Sequence, residues 1–151
     1  MTRIGLISDT HGLLRPSALA FLAGCDRILH AGDICDPTVL DALATIAPVL
    51  AVRGNNDVGP WADALDEETT VDVDGVRIAM IHDLARFDAT RRDARVVVSG
   101  HSHKPLVREA GGVLYVNPGS AGPRRFALPI SIGVLHVEHG TATVELATLP
   151  A

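Results

Sequence analysis

Residues 3–11 read Arg3-Ile4-Gly5-Leu6-Ile7-Ser8-Asp9-Thr10-His11, a short apolar run that ends abruptly in polar side chains. A run of this length with a polar boundary reads as a buried strand, Arg3–Ser8. The shape recurs along the chain. Arg27–His30 leads into Gly32-Asp33, and Pro48–Val52 leads into Arg53-Gly54-Asn55-Asn56-Asp57. Val76–Ile81 ends at His82, and Val96–Ser99 ends in Gly100-His101-Ser102-His103. Between the first three runs lie two helical patterns. Pro16–Ala23 opens with a proline, and Thr38–Ile46 follows an Asp36-Pro37 start signal. This β-α-β-α-β order predicts parallel strands joined by right-handed crossovers.

The later chain changes character. Thr70–Val73 and Val76–Ile81 flank Asp74-Gly75, Val107–Ala110 and Val113–Val116 flank Gly111-Gly112, and Ile132–Val137 and Thr141–Leu146 flank His139-Gly140. Such two-residue connections are hairpin signals. An α/β start followed by hairpins predicts mixed sheets facing each other with helices outside. The 151 residues contain no repeat or linker-like tract, so a single domain over 1–151 is expected. Hydrophobic residues make up 47% and aromatics only 3%, which leaves the core to Val, Leu, Ile and Ala.

Composition also narrows the function. The net charge of -5 argues against nucleic acid as a partner, because binding a phosphate backbone needs a basic stripe. The N-terminal apolar run is too short for a signal segment or a membrane span. Cys25 and Cys35 stand apart without a CxxC pattern and are expected to be buried free thiols. These features predict a cytoplasmic protein with no membrane attachment and no disulfide.

The polar clusters all follow strand candidates at their carboxyl ends, where open α/β sheets place ligands. In extended chain, residues two apart point to the same side, so Asp9 with His11, and His101 with His103, are expected to converge. Gly12, Gly32, Gly54 and Gly100 suit the tight turns such a site requires. Four of the seven histidines lie in these clusters. Asp, His and Asn suit Mn²⁺, Fe²⁺, Co²⁺, Ni²⁺ or Zn²⁺. The ligands are too many for one ion, so two are implied. His30, inside a strand pattern, reads as a satisfied core or supporting histidine, and His136 and His139 as ordinary hairpin residues. Asp57 either orients a ligand or caps a helix over Trp61–Leu65, and Trp61 reads as core.

Taken together, Asp9-x-His11, Gly32-Asp33, Gly54-Asn55, His82 and Gly100-His101-x-His103 resemble the calcineurin-like metallophosphoesterase superfamily. The short length and Asn117-Pro118-Gly119-Ser120 narrow the resemblance to the small YfcE-type phosphodiesterases. It implies an α/β, four-layer αββα sandwich of two mixed β-sheets flanked by helices. Carried over by position, Asp9, His11 and His103 would hold one ion, Asn55, His82 and His101 the other, and Asp33 would bridge both. The cofactor implied is a pair of divalent ions, Mn²⁺ foremost, with Ni²⁺, Co²⁺, Fe²⁺ or Zn²⁺ as alternatives.

The expected reaction is hydrolysis of a small-molecule phosphate ester by a hydroxide bridging the two ions, with Asp33, Asn55 and Arg53 at the catalytic centre. Arg53, Arg124 and Arg125 are candidates to clamp the phosphate, because guanidinium pairs bidentately with its oxygens, and Asn56 is a further candidate to bind substrate. Asn56 stands where many superfamily members carry a histidine that protonates the leaving group, and an amide cannot do this. Diesters, or esters with acidic leaving groups, are the substrates this predicts. A second departure is His82-Asp83-Leu84, where relatives often have His-Gly-His. The alternatives are a phosphomonoesterase or nucleotide phosphatase, and a non-catalytic protein-binding scaffold, since one retromer subunit of this fold acts through protein contacts. Relatives also form dimers or larger assemblies, which leaves a homo-oligomer open.

Overall fold

Two five-stranded sheets lie face to face, each with three parallel strands whose carboxyl ends carry the polar clusters. The structure is a computed structural model that describes residues 1–88 and 93–150. The first sheet contains β1 (Thr2–Ile7), β2 (Arg27–His30), β3 (Val49–Ala51), β9 (Ser131–Glu138) and β10 (Thr141–Thr148), in the order β10-β9-β1-β2-β3. The second contains β4 (Glu68–Val73), β5 (Val76–Ile81), β6 (Val96–Val98), β7 (Leu106–Ala110) and β8 (Val113–Asn117), in the order β4-β5-β6-β8-β7. Strands β1, β2 and β3 run parallel, as do β5, β6 and β8, and the remaining pairs are antiparallel.

Strand alternation builds two cores. Ile4, Leu6 and Leu29 point from the first sheet toward Ile78, Met80, Val96, Val98 and Val116 of the second. Ile7 and Ile28 point the other way, onto α1 (Pro16–Leu22) and α2 (Pro37–Ala44), which contribute Leu22, Val39 and Leu43. Both helices open with the expected proline, and Asp36 caps α2 by accepting from the amide of Thr38 at 2.9 Å. A short α3 (Pro60–Asp63) sits on the same side, with Trp61 packed against that core. The outer face of the second sheet carries, among the described residues, only a 3-10 turn at Leu84–Arg86, so the fourth layer is thin there.

All three anticipated hairpins form. Asp74-Gly75, Gly111-Gly112 and His139-Gly140 each place two successive residues at positive φ, the geometry of a tight turn matched to strand twist. The expected elements fall within about two residues of the observed ones, as helix ends commonly do.

Candidate metal centre

The centre forms where the carboxyl ends of the two parallel triplets meet. Asp9 and His11 follow β1, Asp33 follows β2, Asn55 follows β3, His82 follows β5, and His101 and His103 follow β6. Backbone bonds lace these loops together. Asp9 N donates to Gly32 O and His11 N to Asp33 O, both at 3.0 Å, while Gly100 N donates to His82 O at 3.0 Å.

Asp9 is fully buried, and its two carboxylate oxygens differ. Oδ2 accepts from the Ser8 hydroxyl at 2.7 Å and from His101 N at 3.1 Å. Oδ1 has no hydrogen-bond partner, yet Nε2 of His103, His11 and His82 stand 3.4, 3.9 and 3.9 Å away. Asp33 Oδ2 lies 3.3 Å from His82 Nε2 and 3.7 Å from His11 Nε2. Asn55 Oδ1 completes the second half, 3.0 Å from His82 Nε2 and 3.2 Å from His101 Nδ1. The His101 ring thus meets Asn55, whereas the His103 ring meets Asp9.

Proton accounting identifies what this arrangement suits. His82 Nδ1 sits 2.7 Å from the Ala31 carbonyl, which can only accept, so Nδ1 carries the proton. In the neutral ring Nε2 then presents a lone pair to the oxygens of Asp33 and Asn55, and without a cation it can donate to Asp33 Oδ2 only when the ring is protonated. His11 and His103 likewise bring their Nε2 atoms within 3.3 Å of each other. Lone pairs converging on buried carboxylates call for a cation, and the groups Asp9, His11, His103 and Asp9, Asp33, His82 both have metal-holding geometry.

The electrostatics agree. Burial pushes the Asp9 carboxyl up, against the Ser8 hydrogen bond and the nearby histidines. Burial also acts on Asp33, but hydrogen bonds from His82 and Asn56 outweigh it and hold that carboxyl well below the usual range. Burial opposes the charged form of His82, yet the hydrogen bond to Asp33 and the charges of Asp9 and Asp33 raise its pKa overall. His103 is lowered by burial, with Arg125 and His11 adding to the effect and Asp9 opposing it.

Two expectations need correction. The paired residues converge, but not as extended chain: Asp9, His11, Asp33, His101 and His103 all have φ between 46° and 73°. Left-handed backbone at non-glycine residues is costly and concentrates at functional sites, and it lets successive loops aim inward. Cys35 is also exposed rather than buried, with its sulfur 3.6 Å from His11 Nδ1. The left-handed turn at Cys35 (φ 67°), next to the Asp33 loop, turns that thiol outward.

The other expected site residues take definite places. Arg53 donates to Glu67 at 3.2 Å. Asn56 donates its amide N–H to Asp33 Oδ2 at 3.0 Å and its backbone N–H to Oδ1 at 2.9 Å. Arg124 and Arg125 lie exposed after the Asn117–Ser120 segment, with Arg125 near enough to His103 to depress it. His30 is a satisfied core histidine: Nδ1 accepts from Gly32 N at 3.1 Å and Nε2 meets Thr10 Oγ1 at 3.0 Å.

The remaining supports were only partly legible. Asp57, which α3 does not use as a cap, accepts from the amides of Asp33, Gly54 and Cys35 at 3.0, 2.8 and 2.8 Å. It thereby ties the β2 loop to the β3 loop. Asn117 bonds Gly100 O and Ser102 Oγ, and Ser120 bonds Asp9 O at 2.9 Å. The Asn-Pro-Gly-Ser stretch therefore clamps the loops of both sheets. Close loop contacts require glycine: a Cβ on Gly54 would collide with Asp33, and one on Gly100 with Ser8.

The two-sheet sandwich and the carboxylate–imidazole cluster at its shared strand ends agree with what the comparison with known families shows. The sequence model of the calcineurin-like phosphoesterase superfamily domain matches residues 2–140, and the chain belongs to that superfamily. It is 33% identical to a probable metallophosphoesterase of Methanothermobacter thermautotrophicus, over 89% of this chain and 86% of the relative. It is 26% identical to the phosphodiesterase MJ0936 of Methanocaldococcus jannaschii, over 90% and 93% of the two chains. Among solved structures, Vps29 of Chaetomium thermophilum superposes with a TM-score of 0.81 at 22% identity, covering 99% of this chain and 97% of that one. Membership of the superfamily supports hydrolase activity and divalent metal ions as cofactors. No helix among the described residues is long and apolar enough to cross a membrane.

Proposed function

We propose that the chain is a dinuclear metal-dependent phosphodiesterase acting on small phosphate esters. The observation that carries this reading is the bare Oδ1 of buried Asp9, ringed by three imidazole nitrogens. In this reading Asp9, His11 and His103 hold one ion, Asn55, His82 and His101 hold the other, and Asp33 belongs to both. Divalent ions held there supply Lewis-acid chemistry for ester hydrolysis at neutral pH. His11 of the first set and His82 of the second both approach Asp33 Oδ2, at 3.7 and 3.3 Å, and the depressed pKa of Asp33 keeps it ionised across the neutral range.

The protein groups fix the rest. His82 is oriented by Ala31, and Asp33 by Asn56, so both reach the centre in one geometry. Arg125 and Arg53 flank the centre and are suited to a phosphate, although Arg53 must first leave Glu67. Asn56 has no acid proton, and its side-chain amide is already committed to Asp33. The departing alkoxide must take its proton from water, which favours diesters and acidic leaving groups. The likeness to a named phosphodiesterase supports the same preference. A scaffold role is the weaker reading, because the whole carboxylate–imidazole set is present.

The test is hydrolysis of bis(p-nitrophenyl) phosphate and p-nitrophenyl phosphate by chelator-treated protein to which Mn²⁺ is restored. The expected result is metal-dependent turnover that favours the diester and is lost in His101→Ala. Turnover without metal, or a preference for the monoester, would contradict the proposal.

A further inference from the structure

A cleft of about 200 Å³ opens directly beside Asn55, His82 and His101, and its remaining wall includes Arg53, Glu67, Glu68, Asp83 and Arg86. The charges in this wall are not equivalent. Glu67 is engaged by Arg53 at 3.2 Å. Asp83 accepts from the amide of Ala85 at 3.1 Å, and Glu68 has a partner as well. Among the described residues, the Arg86 guanidinium is in no hydrogen bond or ion pair, which makes it the cation left over in this cleft.

Local sequence explains how Arg86 arrives there. After His82, the side chain of Asp83 caps the 3-10 turn Leu84–Arg86, and Arg86 N donates to Asp83 O at 3.1 Å. The turn folds the chain back, so that Arg86 lines the same cleft as His82. The Asp83-Leu84 pair removes the second histidine that the resemblance implied at this place, and the same pair begins the turn that brings a guanidinium instead. An unpaired guanidinium in a partly enclosed cleft suits a planar anion, which it can hold bidentately.

We infer that Arg86 is a specificity-determining residue: the cleft receives the alcohol arm of the substrate, and Arg86 binds an anionic group on that arm. The substrate class is a phosphate ester whose alcohol carries a carboxylate or a further phosphate. The inference rests on the phosphoesterase reading, because the metal centre would fix the ester phosphate at the inner end of the cleft.

The test is calorimetric binding of 3-phosphoglycerate and glycerol 3-phosphate to the Mn²⁺-loaded protein. The two ligands match in length and differ in a carboxylate against a hydroxymethyl group at the far end. The wild type is expected to bind 3-phosphoglycerate about tenfold tighter, the range of one charge-assisted contact. Arg86→Gln brings the two affinities together, and Arg86→Lys restores part of the difference. Arg108→Gln on edge strand β7 keeps the full ratio. Equal affinities in the wild type, or an undiminished ratio in Arg86→Gln, would overturn the role of Arg86 alone. Failure of both ligands to bind while bis(p-nitrophenyl) phosphate is still hydrolysed would overturn the role of Arg86 alone, and loss of that hydrolysis as well would overturn the phosphoesterase reading.

Discussion

His82 Nε2 stands 3.3 Å from Asp33 Oδ2, joining the end of β5 in one sheet to the end of β2 in the other. Its opposite nitrogen is fixed by the Ala31 carbonyl at 2.7 Å, so the ring cannot turn without losing a buried hydrogen bond. His82→Ala is therefore expected to weaken Mn²⁺ binding by at least about tenfold, the least that loss of even an outer partner typically costs. Competition against a metal-chelating dye measures this. An unchanged affinity would remove His82 from the centre.

His30 gives a pH signature that belongs to folding rather than catalysis. Its imidazole is fully enclosed, and burial, with His82 adding to it, lowers its pKa from 6.5 to about 3. Below pH 6.5 the unfolded chain takes up a proton that the folded chain refuses. Stability therefore falls as pH drops from 6.5 toward 3, with a slope approaching about 1.4 kcal/mol per pH unit. His82, raised above 6.5, contributes in the opposite sense in both the wild type and His30→Gln, so the difference between them reports chiefly His30. Urea unfolding of metal-free protein at pH 7.5 and 5 should show a flatter dependence in the variant.

Asp57 contributes through two loops at once. Its Oδ2 accepts from the amides of Asp33 and Gly54, and its Oδ1 from that of Cys35. An asparagine can present only one acceptor oxygen, so Asp57→Asn leaves at least one amide of this cluster unpaired. The expected cost is about 1–3 kcal/mol in urea unfolding, together with weaker metal binding because Asp33 shifts. Stability and metal affinity both at wild-type levels would contradict this account.

The distinction between the clustered side chains and the residues that support them was only half legible in the sequence. The gathering of Asp9, His11, Asp33, Asn55, His82, His101 and His103 in one place was legible because each follows an apolar run, and strand ends are where α/β sheets gather polar side chains. How they converge was not legible, since alternation in extended chain says nothing of left-handed backbone at Asp9 or His103. The hairpins were readable from their two-residue turns, because positive φ selects glycine locally. Contacts that span the fold were not readable: Asp57 on the Asp33 amide, Ser120 on Asp9 O and Arg53 on Glu67 depend on which strands become neighbours. Cys35 was misplaced for the same reason, as its exposure is set by a turn that composition does not encode.

Gly54 tests the close approach of two loops. A methyl group there would meet both the carboxylate and the backbone nitrogen of Asp33, neither of which can yield without moving the centre. Gly54→Ala is expected to cost about 1–3 kcal/mol of stability, as overpacking in a tight interior does. It should also reduce ester hydrolysis more than fourfold. Thermal unfolding and steady-state kinetics on the same sample measure the two effects. A variant that loses neither would show that the loops have room to separate.

The central claim is that Asp33 joins two metal sites in one hydrolytic centre, and the most direct measurement combines metal stoichiometry with turnover in wild type and Asp33→Asn. The account predicts two Mn²⁺ per wild-type chain and metal-dependent hydrolysis of bis(p-nitrophenyl) phosphate. It predicts that Asp33→Asn binds fewer ions and loses at least about a hundredfold in kcat, the scale of removing one charge-stabilising group from an active site. Undiminished hydrolysis by Asp33→Asn, or a fully loaded wild type that cleaves no phosphate ester, would contradict it.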